Sequence, residues 1–399
     1  MSGCVSSVAG FVSPGYDRKV GKDITGDFSM SAGKDRKNRR GGGNRCIPYI
    51  RTAAAVLLLA GLIVLIWLIA GPFVERRREM RLAAAESSSS EAVTADPENS
   101  DGSGSAGRRK IPDGMSVQYE TPGWQHDGNG WWYAPDDRTC YVNGWVTIKN
   151  KQYHFDGYGY MDTGWTAIGG KGCYFEKDGT YNENADNSKL LALTFDDGPC
   201  KYTADLLEVL RKHNVRATFF MLGTQLEQYG AQTVPGMVEL GCQLGNHSYD
   251  HKSMVKLSTA ECVEEFQKTD QLIASYGGRD GSSVVRFPYG SFTTEQKQQV
   301  GKPNIYWDID TSSYGKADAA SFTSNLEAKI TGGNIILINE GRQTVPAAVD
   351  QLIHDLTGQG YQFVTVEELA AAHGYRLENG VTYYGFSEED VNAGRVTDS

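Results

Sequence analysis

Two adjacent carboxylates close an apolar run in "LLALTFDDGPC", where Asp196 and Asp197 stand before a Gly-Pro turn signal. Alone, these residue types describe a solvated turn, because Asp, Gly and Pro all favour turns for local backbone reasons. Two further stretches weigh against that reading. "GNHSYDHKS" sets His247 and His251 four residues apart, so in a helical or tight-turn segment both imidazoles project from one side. "VVRFPYG" contributes Arg286, a charge able to hold one carboxylate ionised. Two neutral imidazoles and a carboxylate form a three-ligand metal site that leaves positions for water and substrate.

Such groups need rigid elements to bring them together. Between residues 187 and 374, strand-like runs ("LLALTF", "RATFFML", "CQLGNHS", "SVVRFPY", "IYWDID", "NIILIN", "YQFVTV") alternate with helix-like ones such as "TADLLEVLRKH" and "VPAAVDQLIHDLTGQ". This alternation predicts an α/β fold with a parallel sheet covered by helices, closed or nearly closed into a barrel. Chemistry then belongs at the carboxyl ends of the strands, where "DDG", "NHSYDH", "FPYG" and "NEG" fall.

In this order, "TFDDGP", "HSYDH" and "RFPYG" resemble the first three motifs of the polysaccharide deacetylase family, the NodB-homology carbohydrate esterases, over essentially all of residues 187–374. The resemblance implies a distorted (β/α) barrel over residues 186–376. It also implies an enzyme that removes N- or O-acetyl groups from sugar polymers with a divalent metal, zinc first, with cobalt or nickel as alternatives. Carried onto this chain, it makes Asp196 the general base towards water and Asp197, His247 and His251 the metal ligands. Arg286 would hold and tune Asp196, the Tyr289 backbone N–H would stabilise the oxyanion, and Leu337 would line the acetyl pocket. Two motifs depart. Ser313 and Tyr314 stand where the family's fourth motif ends in Asp-Trp, and Asn339 stands where its fifth ends in the His that protonates the leaving amine. Glu340 is the nearest substitute acid, although strand alternation turns it away from Asn339 unless the strand has already ended.

The rest of the chain suggests where such a domain works. Of the 399 residues, the first 51 hold ten Lys/Arg against four Asp/Glu and no apolar periodicity, the pattern of a disordered basic arm. Residues 52–74 are uncharged and apolar for about the length that crosses ~30 Å of hydrocarbon. The basic residues before that segment predict a single-pass membrane helix with a cytoplasmic N-terminus and extracellular C-terminal domains. A Ser/Ala/Gly/acid-rich linker follows over 75–114. Beyond Arg81 there are 43 acidic and 25 basic residues, which excludes nucleic acid as a natural partner. Five cysteines on this side, without a CxxC pair, indicate neither a zinc ribbon nor a complete disulfide framework.

Gly-Trp recurs at 123–124, 144–145 and 164–165, a period of small stacked units. "GYGYMDTGW" resembles the bacterial cell-wall-binding, choline-binding-like repeats, which this chain carries over 115–185. Gln152, Gly172 and Cys173 interrupt the family's aromatic pattern, so the resemblance does not extend to a complete choline cage. Residues 377–399 are left as a C-terminal tail. Anchor, linker, repeats and barrel together point to deacetylation of N-acetylated cell-wall polysaccharide, peptidoglycan first. An O-acetyl esterase and a catalytically impaired wall-binding scaffold are the alternatives.

Overall fold

The structure, a computed structural model, describes residues 105–112, 115–277, 281–311 and 324–397. The arm 1–51, the apolar segment 52–74 and most of the linker lie outside them. Among the described residues no helix is long and apolar enough to cross a membrane. The chain divides into Met1–Arg81 and Leu82–Ser399, and all the described residues belong to the second unit.

The Gly-Trp period corresponds to three antiparallel hairpins. After β1 (Gly107–Lys110), the first joins β2 (Gly123–Asp127) to β3 (Gly130–Ala134), and β4 (Thr139–Val142) returns to pair with β1. The second joins β5 (Gly144–Ile148) to β6 (Lys151–Phe155), and the third joins β7 (Gly164–Ile168) to β8 (Lys171–Phe175), with β9 (Tyr181–Asn182) on its edge. The second hairpin turns through Lys149 and Asn150 and the third through Gly169 and Gly170, all four at positive φ, as two-residue turns matched to strand twist require. The first two leading tryptophans each pack on the next unit. Trp124 meets Tyr153 with ring centroids 4.9 Å apart, and Trp145 meets Phe175 and Tyr181 at 5.4 and 4.9 Å. Neighbouring rings thus fill one another's faces.

The barrel strands follow as β10 (Leu190–Gly198), β11 (Thr218–Met221), β12 (Gln243–Asn246), β13 (Val284–Val285), β14 (Asn304–Ile305), β15 (Ile309–Asp310), β16 (Ile335–Asn339), β17 (Gln362–Phe363) and β18 (Thr382–Tyr383). Their order is β15-β16-β10-β11-β12-β13-β14-β18, with β17 on β10 and every pair parallel. The sheet stays open between β15 and β18, so the closed or nearly closed, distorted (β/α) barrel expected from the sequence is an open α/β half-barrel among the described residues. β10 is buried on both faces, as an internal parallel strand must be. Leu191, Leu193 and Phe195 face the helix-side core with Ile336, Ile338, Leu210 and Leu352, while Thr194 and Asp196 point the other way.

Three segments differ from the sequence reading. Residues 107–110, read as part of the flexible linker, form β1 and pair with β4, because the returning strand offers them a ladder. "IYWDID" is not one strand: β14 pairs with β13, β15 pairs with β16, and residues 306–308 cross between these distant parts of the sheet. Residues 377–397, read as a tail, contribute β18 beside β14 and bury Phe386 and Val396. All five described cysteines are free thiols.

The last hairpin docks on the barrel. Trp165 packs into an apolar cluster with Leu369 and Ala372 of the helix Val366–Ala372, and Arg376 donates two hydrogen bonds to the Ala167 carbonyl at 3.1 and 3.2 Å. A Cβ at Gly172 would lie 1.9 Å from the Ala372 carbonyl oxygen. That close approach explains why the third unit lacks an aromatic there. Cys173 faces the opposite side, buried with Ile168 and Phe175 against Trp145 of the second hairpin.

Candidate active site

The mouth is assembled where the strands end. Asp196 lies in β10 in register with Asn339 of β16 on one side and Phe220 of β11 on the other. His247 follows β12 directly, and Arg286 follows β13. The carboxyl-end placement read from the sequence thus brings Asp196, Asp197, His247, His251 and Arg286 together.

Arg286 is 1% exposed, and four acceptors hold its guanidinium. Nη1 donates to Asp196 Oδ1 and Thr194 Oγ1, each at 2.7 Å, while Nε and Nη2 donate to the carbonyls of Ile305 and Tyr306 at 2.9 and 2.8 Å. The Phe220 ring lies 4.0 Å and the Trp307 ring 5.5 Å from Cζ. Burial pushes the Asp196 carboxyl up, and the Arg286 charge and hydrogen bond pull against that rise.

The three expected metal ligands converge. One donor atom from each of Asp197, His247 and His251 lies within 4.8 Å of the others. Asp197 Oδ1 is 3.3 Å from His251 Nε2 and 3.7 Å from His247 Nε2. His247 Nδ1 is 2.7 Å from the Arg286 carbonyl oxygen, which only accepts, so the proton sits on Nδ1 and Nε2 turns a lone pair to the site. Burial, partly opposed by Asp197, pushes this imidazole down to about 4, leaving it in the neutral form that binds metals. Asp197 Oδ1 is buried without a hydrogen-bond partner, as a carboxylate oxygen reserved for a cation would be. The donor set therefore fits a divalent ion.

Four non-glycine residues here adopt left-handed backbone: Asp197 (φ +67°), Ser248 (+72°), His251 (+61°) and Tyr289 (+59°). Each such residue costs about 1–3 kcal/mol and persists only where its surroundings over-determine it. They do. Asn246 Oδ1 accepts the Ser248 N–H at 2.9 Å, Ser248 Oγ accepts the His251 N–H at 3.2 Å, and the Tyr306 hydroxyl bonds the Gly290 carbonyl at 2.8 Å.

The remaining expected residues fall in different places. Tyr289 stands at the rim, 68% exposed, its ring in T-shaped contact with His251 at 4.5 Å. Leu337 pairs with Thr194 in register, on the site side of β16 and outside the helix-side core. Asn339 donates through Nδ2 to Asp197 Oδ2. Glu340 leaves the mouth altogether: its carboxyl lies against Gly198, where a Cβ would be 1.1 Å from Oε1, and accepts from Thr203 Oγ1 at 3.0 Å. At 1% exposure its carboxyl is enclosed beneath Gly198 and does not open to solvent at the mouth, where the sequence reading of a substitute acid would need it. Burial, with added repulsion from Asp197 and Asp196, pushes it up to about 8. Ser313 and Tyr314 lie outside the described residues. Thr194, Phe220 and Trp307 were not anticipated. Only Thr194 had a signal, standing two residues before Asp196 and hence on the same face of the strand.

Known proteins resemble this chain over the region that builds the site. A polysaccharide deacetylase profile matches residues 183–305. Peptidoglycan-N-acetylglucosamine deacetylase PgdA of Listeria monocytogenes is 36% identical over 205 residues, covering 50% of this chain and 42% of that protein. Peptidoglycan-N-acetylmuramic acid deacetylase PdaC of Bacillus subtilis is 35% identical over 184 residues, 46% of this chain and 39% of the relative. The chain thus spans less than half the length of these two relatives. The peptidoglycan-N-acetylglucosamine deacetylase of Bacillus cereus is 30% identical over 191 residues, covering 46% of this chain and 69% of that protein. With the Asp-His-His cluster, the Arg286–Asp196 pair and a matched region that takes in most of that last relative, the chain belongs to the polysaccharide deacetylase family.

Proposed function

We propose that this protein removes acetyl groups from N-acetylated cell-wall polysaccharide, peptidoglycan above all, in a reaction that needs a divalent metal. The observation that carries the reading is the convergence of Asp197, His247 and His251 beside the Arg286-paired Asp196. A divalent ion, zinc first and cobalt or nickel next, held by those three residues would supply Lewis-acid polarisation of the acetyl carbonyl and acidify water. Asp196 accepts the proton of the attacking water, with Arg286 fixing one carboxylate oxygen at 2.7 Å so that the other faces the site. Leu337 offers an apolar wall for the acetyl methyl, and the Tyr289 N–H donates to the developing oxyanion.

The three named relatives act on peptidoglycan by their descriptions, which supports that polymer. The uncharged segment 52–74, with its basic bias on the N-terminal side, supports a single-pass anchor with the barrel outside the cell. The likeness of the Gly-Trp hairpins to cell-wall-binding repeats supports a wall-facing module, and Gln152, Gly172 and Cys173, which interrupt the aromatic pattern, favour weak glycan affinity. Asn339 favours a second substrate. An amide donates a hydrogen bond but no proton, and an alkoxide leaving group depends less on protonation than an amine, so O-acetyl esters should be cleaved more readily than acetamides.

The test is acetate release by the full-length protein from peptidoglycan, from chitooligosaccharide and from an acetylated xylan, after chelation and again after zinc is restored. Release from peptidoglycan that returns with zinc supports the reading. Release only from the ester moves the function to an O-acetyl esterase. No release from any substrate by metal-loaded protein leaves a wall-binding scaffold.

A further inference from the structure

We propose that Asn339 is a positioning residue for the metal ligand Asp197, so that the position expected to hold a proton donor serves the metal instead. The inference rests on reading Asp197, His247 and His251 as the metal centre, and it concerns how that centre is kept in shape.

The register brings the two side chains together. Asn339 pairs with Asp196 on adjacent parallel strands, and the left-handed φ of +67° at Asp197 turns the next carboxylate back towards β16. The amide is held at both ends. Nδ2 donates to Asp197 Oδ2, while Oδ1 accepts the Gly341 N–H at 3.2 Å. These partners allow one orientation, because a carboxylate cannot donate and a backbone N–H cannot accept.

The consequence falls on Asp197. With Oδ2 tied to Asn339, Oδ1 is the oxygen that remains buried, without a hydrogen-bond partner, and turned to the Nε2 atoms of His247 and His251. The carboxylate is thereby fixed to offer one oxygen and cannot rotate to offer both. A neutral donor suits this task. It orients the carboxylate without cancelling the negative charge that a cation needs, whereas a protonated imidazole or an ammonium at 339 would compete with the metal for Asp197. Outer partners of ligating side chains typically change metal affinity by about 10–100-fold when removed.

The test is calorimetric titration of the metal-free, full-length protein with zinc, and with cobalt followed by visible absorption. The proteins are wild type, Asn339→Ala and Asn339→Leu. Leucine keeps the branched shape and heavy-atom count of asparagine without its donor, so with the alanine variant it separates loss of the hydrogen bond from loss of packing. We expect one ion per wild-type chain, affinity weakened about 10–100-fold in both variants, and a changed cobalt spectrum as the carboxylate is freed. Both variants binding within about twofold of wild type, with an unchanged spectrum, overturns the role of Asn339 and leaves the metal centre standing. Absence of binding by the wild type overturns the metal centre itself, and this inference with it.

Discussion

Two regions of this protein demand unusual backbone, and they meet the demand differently. At the seam between the third hairpin and the barrel, Gly172 would place a Cβ 1.9 Å from the Ala372 carbonyl, and Gly374, at φ +85°, would place one 2.3 Å from the Gly170 carbonyl. No side chain acts at either position, so glycine allows close approach without steric cost. At the catalytic mouth, Asp197, Ser248, His251 and Tyr289 take left-handed backbone while keeping side chains. Glycine there would relieve strain and remove two of the proposed ligands. The seam is therefore sterically intolerant and chemically silent. The mouth is strained because its chemistry requires side chains, and it is held by a mesh of hydrogen bonds around Arg286, Asn246 and Ser248.

The largest effect should come from breaking the mouth's buried pair. Arg286→Met leaves Asp196 buried without its counter-ion and strips two backbone carbonyls of their donors. We expect a loss of about 3–5 kcal/mol in urea unfolding. A loss below about 1 kcal/mol would mean that the mouth does not depend on that ion pair.

At the seam the substitution can be as small as one methyl group. Gly172→Ala must move the backbone of the helix Val366–Ala372 or undock the hairpin, at about 1–3 kcal/mol. Gly170→Ala, on the same hairpin with no neighbour within 4 Å but a φ of +70°, serves as the comparison that carries backbone strain without a clash. Equal losses in the two would reduce the seam to ordinary turn strain.

A pH-dependent effect sharpens how the mouth is supported from below. Burial raises Glu340 from its ordinary range to about 8, so folding favours its neutral form. That contribution is complete below about 4.5 and is lost as pH rises through about 8. In metal-free protein, Glu340→Gln should flatten the fall in stability between pH 5 and pH 8. Taking the difference between wild type and variant cancels other groups that titrate there, including Asp308, which burial pushes up to about 7. Parallel pH profiles would show that Glu340 is already solvated.

Much of this was legible because it is local or periodic. β10, β11, β12 and β16 follow apolar runs, and strand ends offered two imidazoles with a carboxylate pair, from which the family resemblance singled out Asp197 as the ligand. The hairpins were legible from Gly-Trp spacing. What stayed hidden is tertiary. Nothing near Gly172 announces a carbonyl 200 residues later, and nothing in "NEG" says that Asn339 would reach Asp197 while Glu340 turned under Gly198. The split of "IYWDID" into β14 and β15 follows from pairing with opposite parts of the sheet, which an apolar run cannot encode. Phe220 and Trp307 flank Arg286 for the same reason: both read as ordinary strand aromatics until the arginine lies between them.

In the proposed function the mouth separates metal holding from proton transfer, and two substitutions tell the two tasks apart. Zinc content and acetate release from peptidoglycan should be measured together in the full-length wild type, His251→Ala and Asp196→Asn. One zinc and acetate release are expected for the wild type, and loss of both in His251→Ala. For Asp196→Asn the expected result is retained zinc with release reduced at least about 100-fold, the scale of a lost general base. Acetate release that survives in Asp196→Asn, or full zinc binding in His251→Ala, would contradict this separation.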